Sequence, residues 1–147
     1  GWSERGTRPR FDLVTGVSAG AIIAPFAFLG SAYDAQLEEI WTQYETSELI
    51  VAQIVPGILG GPALADTAPL AKLIERFVDR RFLKLIAAEH ARGRMLLIGT
   101  TNLDAERPVY WNMGEIAASR HPDKLELFRK IILASAAIPG AFPPVSI

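Results

Sequence analysis

Gly16-Val17-Ser18-Ala19-Gly20 is the stretch whose residue types and spacing point most directly to chemistry. A serine hydroxyl is a weak nucleophile until it is exposed, oriented and relieved of its proton as it attacks. A sharp turn from a strand into a helix supplies the first two conditions. Glycines on either side let the backbone pass where a β-carbon would clash, and the helix N-terminus aims free N–H groups and its positive end at a developing oxyanion. This GXSXG spacing makes Ser18 the candidate nucleophile, Gly16 and Gly20 the elbow positions, and the Ala19 backbone N–H a candidate oxyanion donor. Chance alone produces such a motif in roughly one chain in twenty of this length. Its neighbours therefore decide its weight: a β-prone segment precedes it and a helical one follows, as the elbow requires. The bland alternative is a tight glycine turn with an idle serine. A phosphate loop is excluded, since the segment is neither G-x-G-x-x-G nor a Walker A loop with its lysine.

A serine nucleophile needs a base. His90 stands near the end of a charged helical face and His121 precedes a proline in a turn, so both read as exposed, ordinary histidines. Asp12 is six residues up an extended strand, on the order of 15–20 Å from Ser18. Asp104 is a fairer candidate, because a strand over 95–101 parallel to 11–15 would bring it beyond the same sheet edge. Its position in Asn102-Leu103-Asp104-Ala105 favours a plain turn aspartate.

The elements that must position these residues follow from periodicity. Phe11 to Thr15 reads as a buried strand, and Ala19 to Leu29 as an apolar helix buried on all sides with a kink or break at Pro25. Ser31 or Asp34 can cap a second helix with Leu37, Ile40, Trp41 and Tyr44 on one stripe. Leu49–Ala65 carries no charge but is punctuated by Pro56, Gly57, Gly60, Gly61 and Pro62, which suits either a flap over an apolar substrate or an irregular connector. Asp66 or Thr67 opens a helix through Val78, a continuation from Phe82 runs to Arg92 and stops at Gly93, and a last helix starts at Pro122-Asp123 with Leu125, Phe128, Ile131, Ile132 and Ser135 inward. Strands are expected over Arg94–Thr101 and Pro108–Met113. Strands separated by long helices predict an α/β fold, and the chain length predicts one domain.

Composition closes several doors. Of 147 residues, 15 are basic and 16 acidic, which leaves no cationic excess for nucleic acid. There is no cysteine, hence no disulfide, thiolate or cysteine-based metal site. The uncharged run from Leu13 to Tyr33 is as long as a bilayer span, but Gly16, Gly20, Pro25 and Gly30 mark it as strand, turn and buried helix. Arg5, Arg8 and Arg10 read as solvated charges near the chain start. Compartment and oligomeric state are not legible.

Three blocks together resemble the patatin-like phospholipase family: Asp12 through Gly20; Thr100-Thr101-Asn102-Leu103-Asp104 with Val109-Tyr110-Trp111-Asn112-Met113-Gly114; and Ala134-Ser135-Ala136-Ala137-Ile138-Pro139-Gly140-Ala141-Phe142-Pro143-Pro144-Val145. The resemblance implies a layered α/β/α fold with a mostly parallel central sheet. It implies a lipid acyl hydrolase of the phospholipase A or lysophospholipase type, using a Ser–Asp dyad with no cofactor and no metal. Ser18 takes the nucleophile's place. Lipid or phospholipid is the implied substrate, with peripheral membrane contact. The family's glycine-rich oxyanion loop, which precedes the nucleophile block, is not found in Gly1–Arg10, and no Asp-Gly pair occurs in the 147 residues. Residues 1–147 are therefore expected to be the central portion of a single domain, incomplete at both ends and inactive or nearly so alone. A non-catalytic lipid-binding or regulatory module and an acyltransferase remain as alternatives.

Overall fold

The computed structural model describes residues 1, 3–45, 68–137 and 144–147. Three strands form its sheet: β1 (Leu13–Gly16), β2 (Met95–Asn102) and β3 (Arg107–Asn112), in the order β1-β2-β3. β1 runs parallel to β2, from the Leu13–Met95 pair to the Gly16–Ile98 pair. β3 is antiparallel to β2, so the sheet is mixed. Each pairing follows from its connection. Four residues separate β2 from β3, and the Asn102 side chain accepts from the Ala105 N–H at 2.9 Å to close the turn. Parallel partners need a long crossover, and helices make up most of its described residues.

Those helices are α1 (Ala19–Leu29), α2 (Asp34–Glu45) after a 3-10 turn at Ser31–Tyr33, α3 (Ala68–Phe77) and α4 (Arg80–Ala91). Beyond the sheet come α5 (Met113–Ala118) and α6 (Lys124–Ala136). The architecture is α/β, as expected. No helix among the described residues is long and apolar enough to cross a membrane.

The core lies between the helices and one face of the sheet. Leu96 and Ile98 on β2 are fully buried with Phe28 of α1, Met113 of α5, and Phe128 and Ile131 of α6. Residues paired across strands share a face. The other face carries Leu13, Met95 and Tyr110, which are exposed. β1 is thus buried on one face, not on both as its apolar composition suggested. It pairs only with β2 among the described residues, and Leu13 and Thr15 stay outside while Gly16 is buried.

Three further expectations need amendment. α1 has the anticipated bounds, but Ala19 is exposed and Ile22, Ile23, Ala27 and Leu29 are half-buried. It continues through Pro25, whose missing N–H forgoes a bond to the Ala21 carbonyl while its ring is fully buried. Met113 is not the end of a strand but the start of α5, where the Asn112 side chain caps the Glu115 N–H. The suggested flap at Leu49–Ala65, the helix start at Asp66 or Thr67, and Pro139 lie outside the described residues.

Candidate active site

β1 ends at Gly16 and α1 begins at Ala19, so Val17 and Ser18 alone make the turn. Ser18 is exposed and holds φ 57°, ψ −127°. A positive φ costs a residue with a β-carbon about 1–3 kcal/mol. Ser18 occupies the N-cap position of α1, where serine ordinarily bonds a free amide of the first turn. Here its side chain makes no such bond. The first turn closes through main chain instead, Gly20 N–H to the Val17 carbonyl and Ala21 N–H to the Ser18 carbonyl, both at 2.9 Å. Among the described residues the hydroxyl is left uncommitted at the tip.

Gly16 is what permits so tight a turn. A β-carbon there would lie 2.2 Å from the Gly20 carbonyl oxygen and 2.8 Å from the Ala24 β-carbon. The strand end rests directly on the first turn of its own helix. Gly20 behaves differently: a β-carbon there meets nothing within 4 Å among the described residues. Clearance is therefore required at Gly16 and not at Gly20, where the sequence suggested both. The Ala19 N–H, at the head of α1, has no hydrogen-bond partner among the described residues. A free amide beside an exposed hydroxyl is an arrangement that can meet the oxygen of a carbonyl under attack.

Two other elements close on the turn. Ser135, half-buried near the end of α6, accepts from the Ser18 N–H at 3.0 Å and donates to the Gly99 carbonyl of β2 at 2.6 Å. Gly99 also lets side chains converge above β2, since a β-carbon on it would come within 2.9 Å of Val17 Cγ2 and 3.4 Å of the Tyr110 ring. Sequence reading placed Ser135 inward but gave it no contact with Ser18. The signal was its place in the Ala-Ser block, and the partner lies 117 residues away.

The titratable candidates are distributed elsewhere. The Asp12 carbonyl bonds the Met95 N–H at 2.8 Å, at the start of both strands and hence at the rim opposite Ser18. His90 is at that rim too, and it is not exposed as expected. It packs on Gly114 of α5, where a β-carbon would fall 2.6 Å from Nδ1, and Nδ1 lies 3.3 Å from the Arg94 carbonyl oxygen. Asp79 caps α4 through the Phe82 N–H at 2.7 Å, and exposed His121 accepts from the Asp123 N–H. Asp104 is exposed in the β2–β3 turn. No aspartate or histidine among the described residues is hydrogen-bonded to Ser18.

The opposite rim carries the ionic centre. Arg94, 5% exposed, bonds the Phe11 and Phe28 carbonyls and Glu89, with its guanidinium 4.3 Å from the Phe28 ring centroid. Arg10 and Arg92 also pair with Glu89, and Arg8 pairs with Asp34, so two of the three arginines near the chain start are engaged and not merely solvated. Burial alone would raise the Glu89 pKa, but hydrogen bonds from Arg94 and Arg10 and the nearby arginine charges outweigh it and hold the carboxyl below its ordinary value. A cavity of ≈ 320 Å³ bordered by Arg8, Arg10, Glu89 and Arg94 opens here, and neither Ser18 nor Ser135 lines it.

A strand feeding a strained serine at the head of a buried helix, inside an α/β fold, places the molecule in the broad class of α/β proteins built around a strand-to-helix elbow. The family model described as Patatin-like phospholipase matches residues 2–147. The chain belongs to the patatin-like phospholipase family, a family of lipid acyl hydrolases. No curated protein and no solved structure matched it.

Proposed function

We propose that the chain carries the nucleophile of a carboxylic ester hydrolase that cleaves phospholipid or lysophospholipid acyl esters, with Ser18 as that nucleophile. The observation that carries this reading is the strained backbone of Ser18 with its hydroxyl withheld from the helix it could cap. Strain of this kind persists only where surrounding structure imposes it, and it concentrates at reacting residues.

In the proposed reaction the Ser18 Oγ attacks the acyl carbonyl while an aspartate removes its proton. The Ala19 N–H helps hold the tetrahedral oxyanion. Collapse expels the alcohol with the proton returned to it, and water then releases the fatty acid from the acyl-serine. We assign the aspartate to sequence outside these 147 residues. In support, no Asp-Gly pair occurs in the sequence, and no aspartate among the described residues is hydrogen-bonded to Ser18. The family supports lipid as the substrate class, and we propose peripheral contact with the membrane that presents it.

A fluorophosphonate probe tests the reading. The intact protein should be labelled on Ser18, located by peptide mass spectrometry, and Ser18→Ala should abolish labelling. An unlabelled wild type would leave a lipid-binding module in place of the enzyme, and acyl transfer to added lysolipid in preference to water would make it a transferase. Residues 1–147 alone should turn over a chromogenic ester far more slowly than the intact protein.

A further inference from the structure

We infer that Ser135 is a positioning residue for Ser18, its hydroxyl keeping the nucleophile from capping its own helix. This inference rests on the reading of Ser18 as nucleophile. A serine hydroxyl has one proton to give and two lone pairs to receive. Ser135 gives its proton to the Gly99 carbonyl at 2.6 Å, so toward the Ser18 N–H, 3.0 Å away, it can only accept. The two bonds therefore run in one direction, from the Ser18 amide through the Ser135 hydroxyl into β2, and each polarises the other.

The anchor is available because β1 has already left the sheet. The β1–β2 ladder ends at the Gly16–Ile98 pair, and Gly99 is the next residue along β2. Ser135 reaches that point from the last turn of α6, so the tie joins the β1–α1 turn, the middle strand and α6.

Its consequence for Ser18 is specific. Without an acceptor for its amide, Ser18 is free to relax to the extended backbone usual at an N-cap, where serine oxygens accept from the second or third amide of the helix. In α1 these are Gly20 and Ala21, whose N–H groups now go to the Val17 and Ser18 carbonyls and would change partner as Ser18 relaxed. A hydroxyl so engaged is turned back onto the helix and away from a substrate carbonyl. Ser135 thus acts through the geometry of Ser18, without touching the reacting atoms.

Ser135→Thr and Ser135→Val in the intact protein make the test, because the two side chains share a shape and differ only by the hydroxyl. Two quantities are read: amide hydrogen exchange at Ser18 by NMR, and kcat and KM on a chromogenic ester. S135T should keep the Ser18 amide slow and kcat within about threefold of wild type, whereas S135V should speed exchange at least about tenfold and lower kcat roughly 30- to 100-fold with KM within about twofold, the scale of a misplaced reacting group. Equal exchange and equal kcat in the two variants would overturn the inference, as would KM rising in step with the loss of kcat. If β-branching at this position prevents folding, S135A against wild type reads the same quantities. A wild type that neither reacts with the fluorophosphonate probe nor turns over ester refutes the nucleophile and the catalytic role together. The exchange measurement then still decides whether Ser135 holds the amide.

Discussion

At residue scale, the two glycines of the motif have different jobs. Gly16 faces the Gly20 carbonyl across a gap with no room for a methyl group, and the obstacle is backbone, which cannot swing aside. Gly16→Ala is expected to cost about 3 kcal/mol, the upper range for forced overpacking, and to abolish probe labelling. Gly20→Ala should leave the melting temperature unchanged or raised, since Ala exceeds Gly in helix propensity by about 1 kcal/mol. Thermal melting of the two variants side by side checks the contrast; equal losses would refute it. The turn at Ser18 was legible because a contiguous motif encodes it. Ser135 was not, because nothing local in Ala134-Ser135-Ala136 specifies a partner 117 residues away.

Among the elements, legibility followed length and caps. α1 was readable end to end because an uninterrupted apolar run is bounded by Ser18 and Gly30. α4 was readable from its periodicity and from Gly93, which takes φ +86° just past its end. Its start was less plain. Asp79, three residues before Phe82, accepts the Phe82 N–H at 2.7 Å and fixes the first turn. Asp79→Ala should remove about 1 kcal/mol and lower the melting temperature by about 3 °C for a chain of this size, an effect absent in Asp79→Ser. α5 was missed because six residues are too few to display a period, although Asn112 followed three positions later by Glu115 is a capping pattern. The exposure of one face of β1 was hidden as well. Strand composition reports apolarity, while burial depends on which layers cover the sheet.

For the whole molecule, the long-range ionic ties join segments far apart in sequence. Glu89 of α4 collects Arg10, Arg92 and Arg94, and its carboxyl is held below the ordinary value of 4.5. A carboxyl whose pKa is depressed on folding stabilises the fold above its unfolded pKa and loses that contribution as pH falls through the folded one. Asp34 has the same sign, through hydrogen bonds from Ser3 and Arg8 that outweigh its burial. Thermal stability should therefore decline as pH drops below about 4.5. Glu89→Gln should lower the melting temperature at neutral pH and flatten that acid slope; parallel curves for variant and wild type would count against it. Charge counts could not reveal this centre, because 15 basic and 16 acidic residues balance wherever they sit.

Arg94 grips the chain twice, at Phe11 just before β1 and at Phe28 in the last turn of α1. The strand and the helix that lead into and out of Ser18 are thereby fastened at their roots by one buried guanidinium, like the two arms of a tweezer set in a single block. Such arms cannot splay separately. The hydroxyl at the tip is thus borne by two arms clamped at the opposite rim of the sheet, and damage to that root is expected to loosen the tip without touching it.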